Sequence, residues 1–174
     1  LRQTVVGKTI VRIDINAPKS TIVVSPKLDP HDFSAALIGR TILAVTRRGK
    51  NILIDLSGDL SLWVHLKMTG HFFYDDRPIT PEKHDLIIFQ FRDGERVSCL
   101  RFNDYRRFGR HRLYTSDEIW NQKGLRELGP EPLEISADDF VALCKRRPRQ
   151  LKQALLDQSF LAGIGNIYAD ESLW

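Results

Sequence analysis

In TIVRIDI, residues 9–15, the apolar Val11, Ile13 and Ile15 alternate with Arg12 and Asp14. A period of two predicts a strand with one face on a core and the other in water. Short runs of the same kind follow: TILAV, NILIDL, LSLWVHL, DLIIFQF, RVSCLRF and RHRLYT. The turns between them suit hairpins, because Ser57-Gly58-Asp59 and Asp93-Gly94 supply residues that tolerate positive φ. Many strands at short spacing predict an antiparallel sandwich through about residue 116. One helix interrupts it: Asp29 caps, Pro30 takes the first helical position, and HDFSAALIG runs to a terminating Gly39.

After about residue 116 the period turns helical. Ser136 and Asp139 have the spacing of a capping box that opens ADDFVALCKRR. Pro148 ends that helix and enters the next, RQLKQALLD, where Leu151, Leu155 and Leu156 recur on one face. Gly163 and Gly165 permit tight turns, and Asn166 is a good cap for IYADESLW. The expected class is α+β: a β-sandwich over 1–116, a Gly- and Pro-rich linker over 117–135, and a small helical domain over 136–174.

Composition narrows the class. At 174 residues with 42% hydrophobic content, the chain is large enough to bury a core. No run approaches the roughly 18 apolar residues of a membrane helix, and no leader pattern opens the chain, so the expectation is a soluble, intracellular protein. Its two cysteines, Cys99 and Cys144, lack the spacing of a disulfide framework or a zinc site and are expected as small core residues. The net charge of +4 is modest, but its distribution is not. Arg101, Arg106, Arg107, Arg110 and Arg112 face only Asp104 in their stretch, and Lys145, Arg146, Arg147, Arg149 and Lys152 face no acid. With Arg47, Arg48 and Lys50 as a third cluster, the pattern favours a nucleic-acid partner over merely solvated faces.

Several residues could carry that function. Gly163-Ile164-Gly165-Asn166 leads into a helix whose amino end can hold a phosphate, or simply makes a turn. In NDYRRFGR, Arg106 and Arg107 offer cations, and Phe108 offers a ring that can stack on or wedge between bases; a hairpin with one core Phe is the ordinary alternative. Met68, beside Gly70 in HLKMTG, is either an exposed wedge or core filler. Lys50 could contact a phosphate or act as an amine, or be solvated; His84 could donate to a phosphate or cap a strand.

Taken in order, RRGK, HLKMTG, PEKHD, YRRFG, LGPEPL and GIGNIYADESLW resemble the formamidopyrimidine-DNA glycosylases, a family of bacterial base-excision repair enzymes, over nearly the whole chain. The resemblance implies a two-sheet β-sandwich followed by a helix–two-turn–helix domain, with damaged duplex DNA in the cleft between them. It assigns Lys50 to the elimination chemistry. It places His84, Arg106, Arg147 and Asn166 on DNA phosphates, matches Lys152 to a DNA-binding lysine of the family, and makes Met68, Arg106 and Phe108 the triad that fills the gap left by a flipped-out nucleotide. Tyr105 stands where the family usually has proline.

Members begin with Pro-Glu, the proline amine being the nucleophile, and end in a zinc finger holding one zinc ion. Here the chain opens at Leu1 and closes at Trp174, so both segments are expected to be missing and the 174 residues alone to be inactive. The implied function is a bifunctional glycosylase and lyase for oxidised purines, monomeric and working on the nucleoid in the bacterial cytoplasm. The competing expectations are an endonuclease VIII-like enzyme for oxidised pyrimidines and a non-catalytic module that binds damaged DNA.

Overall fold

A computed structural model of the chain describes residues 1–16, 29–146 and 149–174. In chain order the elements are α1 (Arg2–Val5), β1 (Thr9–Ile15), α2 (Pro30–Leu37), β2 (Ile42–Arg48), β3 (Asn51–Leu56), β4 (Leu60–His65), β5 (His71–Asp75), β6 (Asp85–Asp93), β7 (Arg96–Asn103) and β8 (Arg110–Thr115). The helices α3 (Glu118–Asn121), α4 (Lys123–Arg126), α5 (Ala137–Arg146), α6 (Leu151–Leu156) and α7 (Asn166–Leu173) follow. Two compact units emerge: residues 1–46 with 51–119, and 47–50 with 120–174. The stretch expected as a linker carries α3 and α4, and from Trp120 onward it clusters with the second unit. Among the described residues no helix is long and apolar enough to cross a membrane.

The first unit is an antiparallel sandwich of two four-stranded sheets, ordered β1-β6-β7-β5 and β2-β3-β4-β8. Each expected run forms a strand, and HFFYD adds β5, which its unbroken bulk did not mark as alternating. Between the sheets lie Ile10, Phe33, Leu37, Leu62, Ile87, Phe91 and Phe102, all 2% exposed or less. Burying each such side chain stabilises the fold by about 1.5–3 kcal/mol. The Gly58-Asp59 and Gly94 turns take positive φ, as hairpin geometry demands. In β1 the expected alternation fails. A register shift between Ile10 and Arg12 turns Ile10 and Ile13 inward and leaves Val11 on the surface.

Alternation along β8 places Arg110 and Arg112 outward and His111 inward among Phe72, Phe89 and Phe102. His111 is fully buried and neither ring nitrogen has a hydrogen-bond partner among the described residues. Burial pushes its pKa down to about 3, against a weak opposing pull from the Asp104 charge.

Helix boundaries follow local chemistry. Asp29 accepts from the His31 and Asp32 amides, Pro30 opens α2, and Gly39 follows its end at φ 83°. Ser136 accepts from the Asp139 amide at 3.1 Å and donates its hydroxyl to the Asp139 carboxylate at 2.7 Å. Ser136→Ala is expected to cost about 1 kcal/mol, read as a lower thermal midpoint with unchanged circular dichroism at 20 °C. The second unit packs Ala154, Leu155, Phe160, Leu161 and Ala169 together, with Phe140 edge-on to Phe160. Leu151, expected on this face, is 42% exposed; Ala154 takes the inward position one turn on. Pro148 lies outside the described residues. Cys99 is buried and Cys144 only partly so.

Candidate nucleic-acid interface

In the first unit, two loops at strand ends carry the exposed candidates. Met68 lies in the turn after β4 and is 73% exposed, which overturns core filling as its role. Arg106 and Phe108 lie between β7 and β8, in a segment where Arg107 takes φ 56°. The Arg106 guanidinium donates to the Met68 sulfur at 3.3 Å and stands 4.8 Å over the Phe108 ring. One cation thus joins two apolar side chains into a single projection.

His84 immediately precedes β6, and its carbonyl accepts from the Asp104 amide, tying its turn to the Arg106 loop. Its ring lies 6.4 Å from that of Tyr105, and its Nδ1 has no partner among the described residues. The turn is held by Asp85, which accepts from the Glu82 amide, Asn103 and Arg101. Burial works to raise the Asp85 pKa, but these bonds outweigh it and hold the carboxyl below the ordinary aspartate value.

In the second unit, Lys50 ends the tight turn Arg47–Lys50. Glu131 builds that turn: its carboxylate accepts from the Gly49 amide at 2.6 Å, Arg48 at 2.9 Å and Arg47 at 2.8 Å. Arg48 also donates to the Leu128 and Gly129 carbonyls. The Lys50 ammonium reaches the start of α7, where a methyl group added to Gly165 would lie 3.4 Å from Nζ. Desolvation there lowers the lysine pKa. Gly165, not Asn166, is the N-cap, and among the described residues no side chain caps the helix. Asn166 is instead its first residue and exposed. Lys50 and the amino end of α7 therefore converge as a place for an anion. Gly163 needs its left-handed φ of 92°; Gly165 is extended, and its missing side chain leaves room for Lys50.

Lys152 pairs with Asp170 of α7 at 2.5 Å, both half-exposed, which holds it beside that helix. Arg147 lies outside the described residues. The structure thus groups Met68, Arg106 and Phe108 with His84 nearby in one unit, and Lys50 with Asn166 in the other. Sequence reasoning missed the carboxylates that shape these loops. Asp104 was visible as the lone acid in an arginine-rich stretch, and Glu131 as an acid between two prolines. Among the described residues, the group able to bring three side chains to one metal ion is Asp29, His31 and Asp32. This exposed pair of carboxylates with one imidazole does not fit the thiolate-bearing set of a zinc finger.

A two-sheet antiparallel sandwich with an arginine-centred projection, followed in sequence by a helical unit ending in a glycine turn and helix, defines the class of β-sandwich, helix–two-turn–helix proteins. The chain belongs to the formamidopyrimidine-DNA glycosylase family: residues 1–111 match its N-terminal domain and residues 128–174 its H2TH domain. It is 43% identical to the formamidopyrimidine-DNA glycosylase of Moorella thermoacetica over 95% of the chain and 58% of that relative. The Ligilactobacillus salivarius glycosylase is 40% identical over 100% of the chain and 61% of its own length. Among solved structures, Lactococcus lactis Fpg bound to DNA with an abasic site superposes with a TM-score of 0.87 at 30% identity, covering 100% of this chain and 62% of that one. Its complex with DNA containing FAPY-dG gives 0.86 at 30% identity, covering 100% and 63%. The chain therefore spans about three-fifths of the length of these relatives.

Proposed function

We propose that the protein to which these residues belong is a DNA glycosylase that removes oxidised purines, formamidopyrimidines and 8-oxoguanine, from duplex DNA. The observation that carries this reading is the exposed Met68–Arg106–Phe108 projection. An enzyme that acts on a base must first take it out of the stack, at a cost of a few kcal/mol. Two apolar side chains bridged by a guanidinium can occupy the vacated space, stacking on neighbouring bases while Arg106 meets the polar edge of the orphaned partner. His84, Arg106, Arg147, Lys152 and Asn166 are assigned to DNA binding. Relatives named for formamidopyrimidine and a neighbour bound to FAPY-dG support the substrate class.

We assign a lyase step to the same protein. A terminal proline amine attacks the sugar carbon bearing the damaged base, the base leaves, and the resulting imine allows β- and δ-elimination of the strand. Lys50 is assigned to the elimination, and the desolvation that lowers its pKa supports that role by favouring the neutral amine. The protein is assigned as a monomer of the bacterial cytoplasm that works on the nucleoid, its zinc ion held outside these 174 residues.

The test is cleavage of duplexes carrying 8-oxoguanine or thymine glycol by the protein extended to the length of its relatives. Faster cleavage at 8-oxoguanine is expected. Preference for thymine glycol makes it the oxidised-pyrimidine enzyme instead, and binding without cleavage makes it a damage-binding module. A polypeptide limited to these 174 residues is expected to give no borohydride-trapped adduct on the 8-oxoguanine duplex, and a cross-linked band overturns that assignment.

A further inference from the structure

Asp104 is the one acid among the arginines that flank the Phe108 ring, and it is completely buried. Its carboxylate accepts from the Thr69 hydroxyl, the Gly109 amide at 2.8 Å and the Arg106 amide at 3.3 Å. Thr69 adjoins Met68, whereas Arg106 and Gly109 bracket Phe108. One side chain thus holds both loops that supply the wedge.

The floor beneath the loops is shared as well. The ring of Phe102, 0% exposed, lies against both Gly70 and Gly109; a methyl group at either position would come within 2.8 and 2.3 Å of its ring. Both loops also contain a non-glycine residue in the left-handed region, Lys67 at φ 58° and Arg107 at φ 56°. Such conformations cost free energy and persist only where surrounding bonds hold them. Pairing of β4 with β8 and of β5 with β7 holds the ends of the two loops, and the Asp104 carboxylate ties their interiors together.

We propose that Asp104, with Thr69, is a positioning residue that locks the Met68 loop to the Arg106–Phe108 loop, so that the wedge is formed before DNA arrives. This rests on the glycosylase reading above. A preformed wedge pays no ordering entropy when it enters the stack. The effect therefore falls on binding to a gapped stack, where the wedge is inserted, and not on binding to intact duplex.

The test compares, in the protein at the length of its relatives, affinity for a duplex containing a tetrahydrofuran abasic analogue with affinity for the undamaged duplex. Thr69→Val keeps the shape and deletes the bond to Asp104; it is expected to reduce the preference for the tetrahydrofuran duplex about tenfold with undamaged binding unchanged. Thr69→Ser returns the hydroxyl and is expected to restore the preference. Adding Thr69→Val to Asp104→Ala is expected to cost nothing further, since without the carboxylate the hydroxyl has no clamp left to lose. A 2-aminopurine opposite the analogue should lose its fluorescence response in parallel. Full preference in Thr69→Val, equal losses on both duplexes, or additive losses in the double variant overturn the proposal. Absence of any preference in the unaltered protein instead overturns the glycosylase reading on which it rests.

Discussion

Replacing Glu131 by alanine is expected to destabilise the helical unit by about 3 kcal/mol and to release the turn that carries Lys50. The carboxylate is only 7% exposed and serves three donors. Arg47 is more than half exposed, so its ion pair contributes little. The Gly49 amide is the larger part: it is buried, and losing its acceptor leaves an N–H with no water to replace it. Burial works to raise the Glu131 pKa, but the Gly49 amide and both arginines outweigh it and hold the acid below its ordinary value. A depressed carboxyl pKa adds stability above the unfolded-state value, near 4.3, that is lost as pH falls through the folded one. Glu131→Gln, which keeps one acceptor but not the charge, should therefore fall between alanine and the unaltered protein at pH 7 and approach the latter in acid. Thermal unfolding and exchange of the Gly49 amide measure both effects; an unprotected Gly49 amide in the unaltered protein would sink the argument.

The sandwich was legible in the sequence because its strands have one face in water and so alternate, and because hairpin turns demand particular residues. Where those conditions lapse, so does the reading. β5 is nearly continuous bulk, and β1 carries a register shift that no local signal announces. Leu151 and Ala154 exchanged roles because a six-residue helix offers too few turns to fix its buried face. Of the site, the exposed members could be named singly, since cations and a lone methionine stand out. Their grouping could not: Met68 and Arg106 are 38 residues apart, and it takes the sheet topology to bring them together. Asp104 and Glu131 are hidden for the same reason, as each acts on chain far from itself or on backbone amides that carry no sequence signature.

Between pH 6.5 and 4.5 the sandwich is expected to lose roughly 2–3 kcal/mol through His111 alone. An unfolded histidine takes up a proton near pH 6.5, while the buried ring refuses it until about 3. Across that window the unfolded state binds more protons, so stability falls by about 1.4 kcal/mol for each pH unit and levels off below the folded value. Asp85 and other carboxylates held below their ordinary pKa pull in the same direction, so the effect must be isolated by difference. His111→Leu does this. Its cross-strand partner is Val64 and its neighbours are Phe72, Phe89 and Phe102, so leucine suits the position and removes two buried nitrogens that have no partner among the described residues. The variant is expected to be more stable than the unaltered protein by about 1–2 kcal/mol at pH 7. At pH 4.5 the gap should widen by the further 2–3 kcal/mol that histidine forfeits. Denaturant-dependent exchange of the slowest β4 and β8 amides reads the stability of this unit by itself. An equal gap at the two pH values would mean that the ring takes up its proton inside the fold, and that burial among three phenylalanines does not keep it neutral.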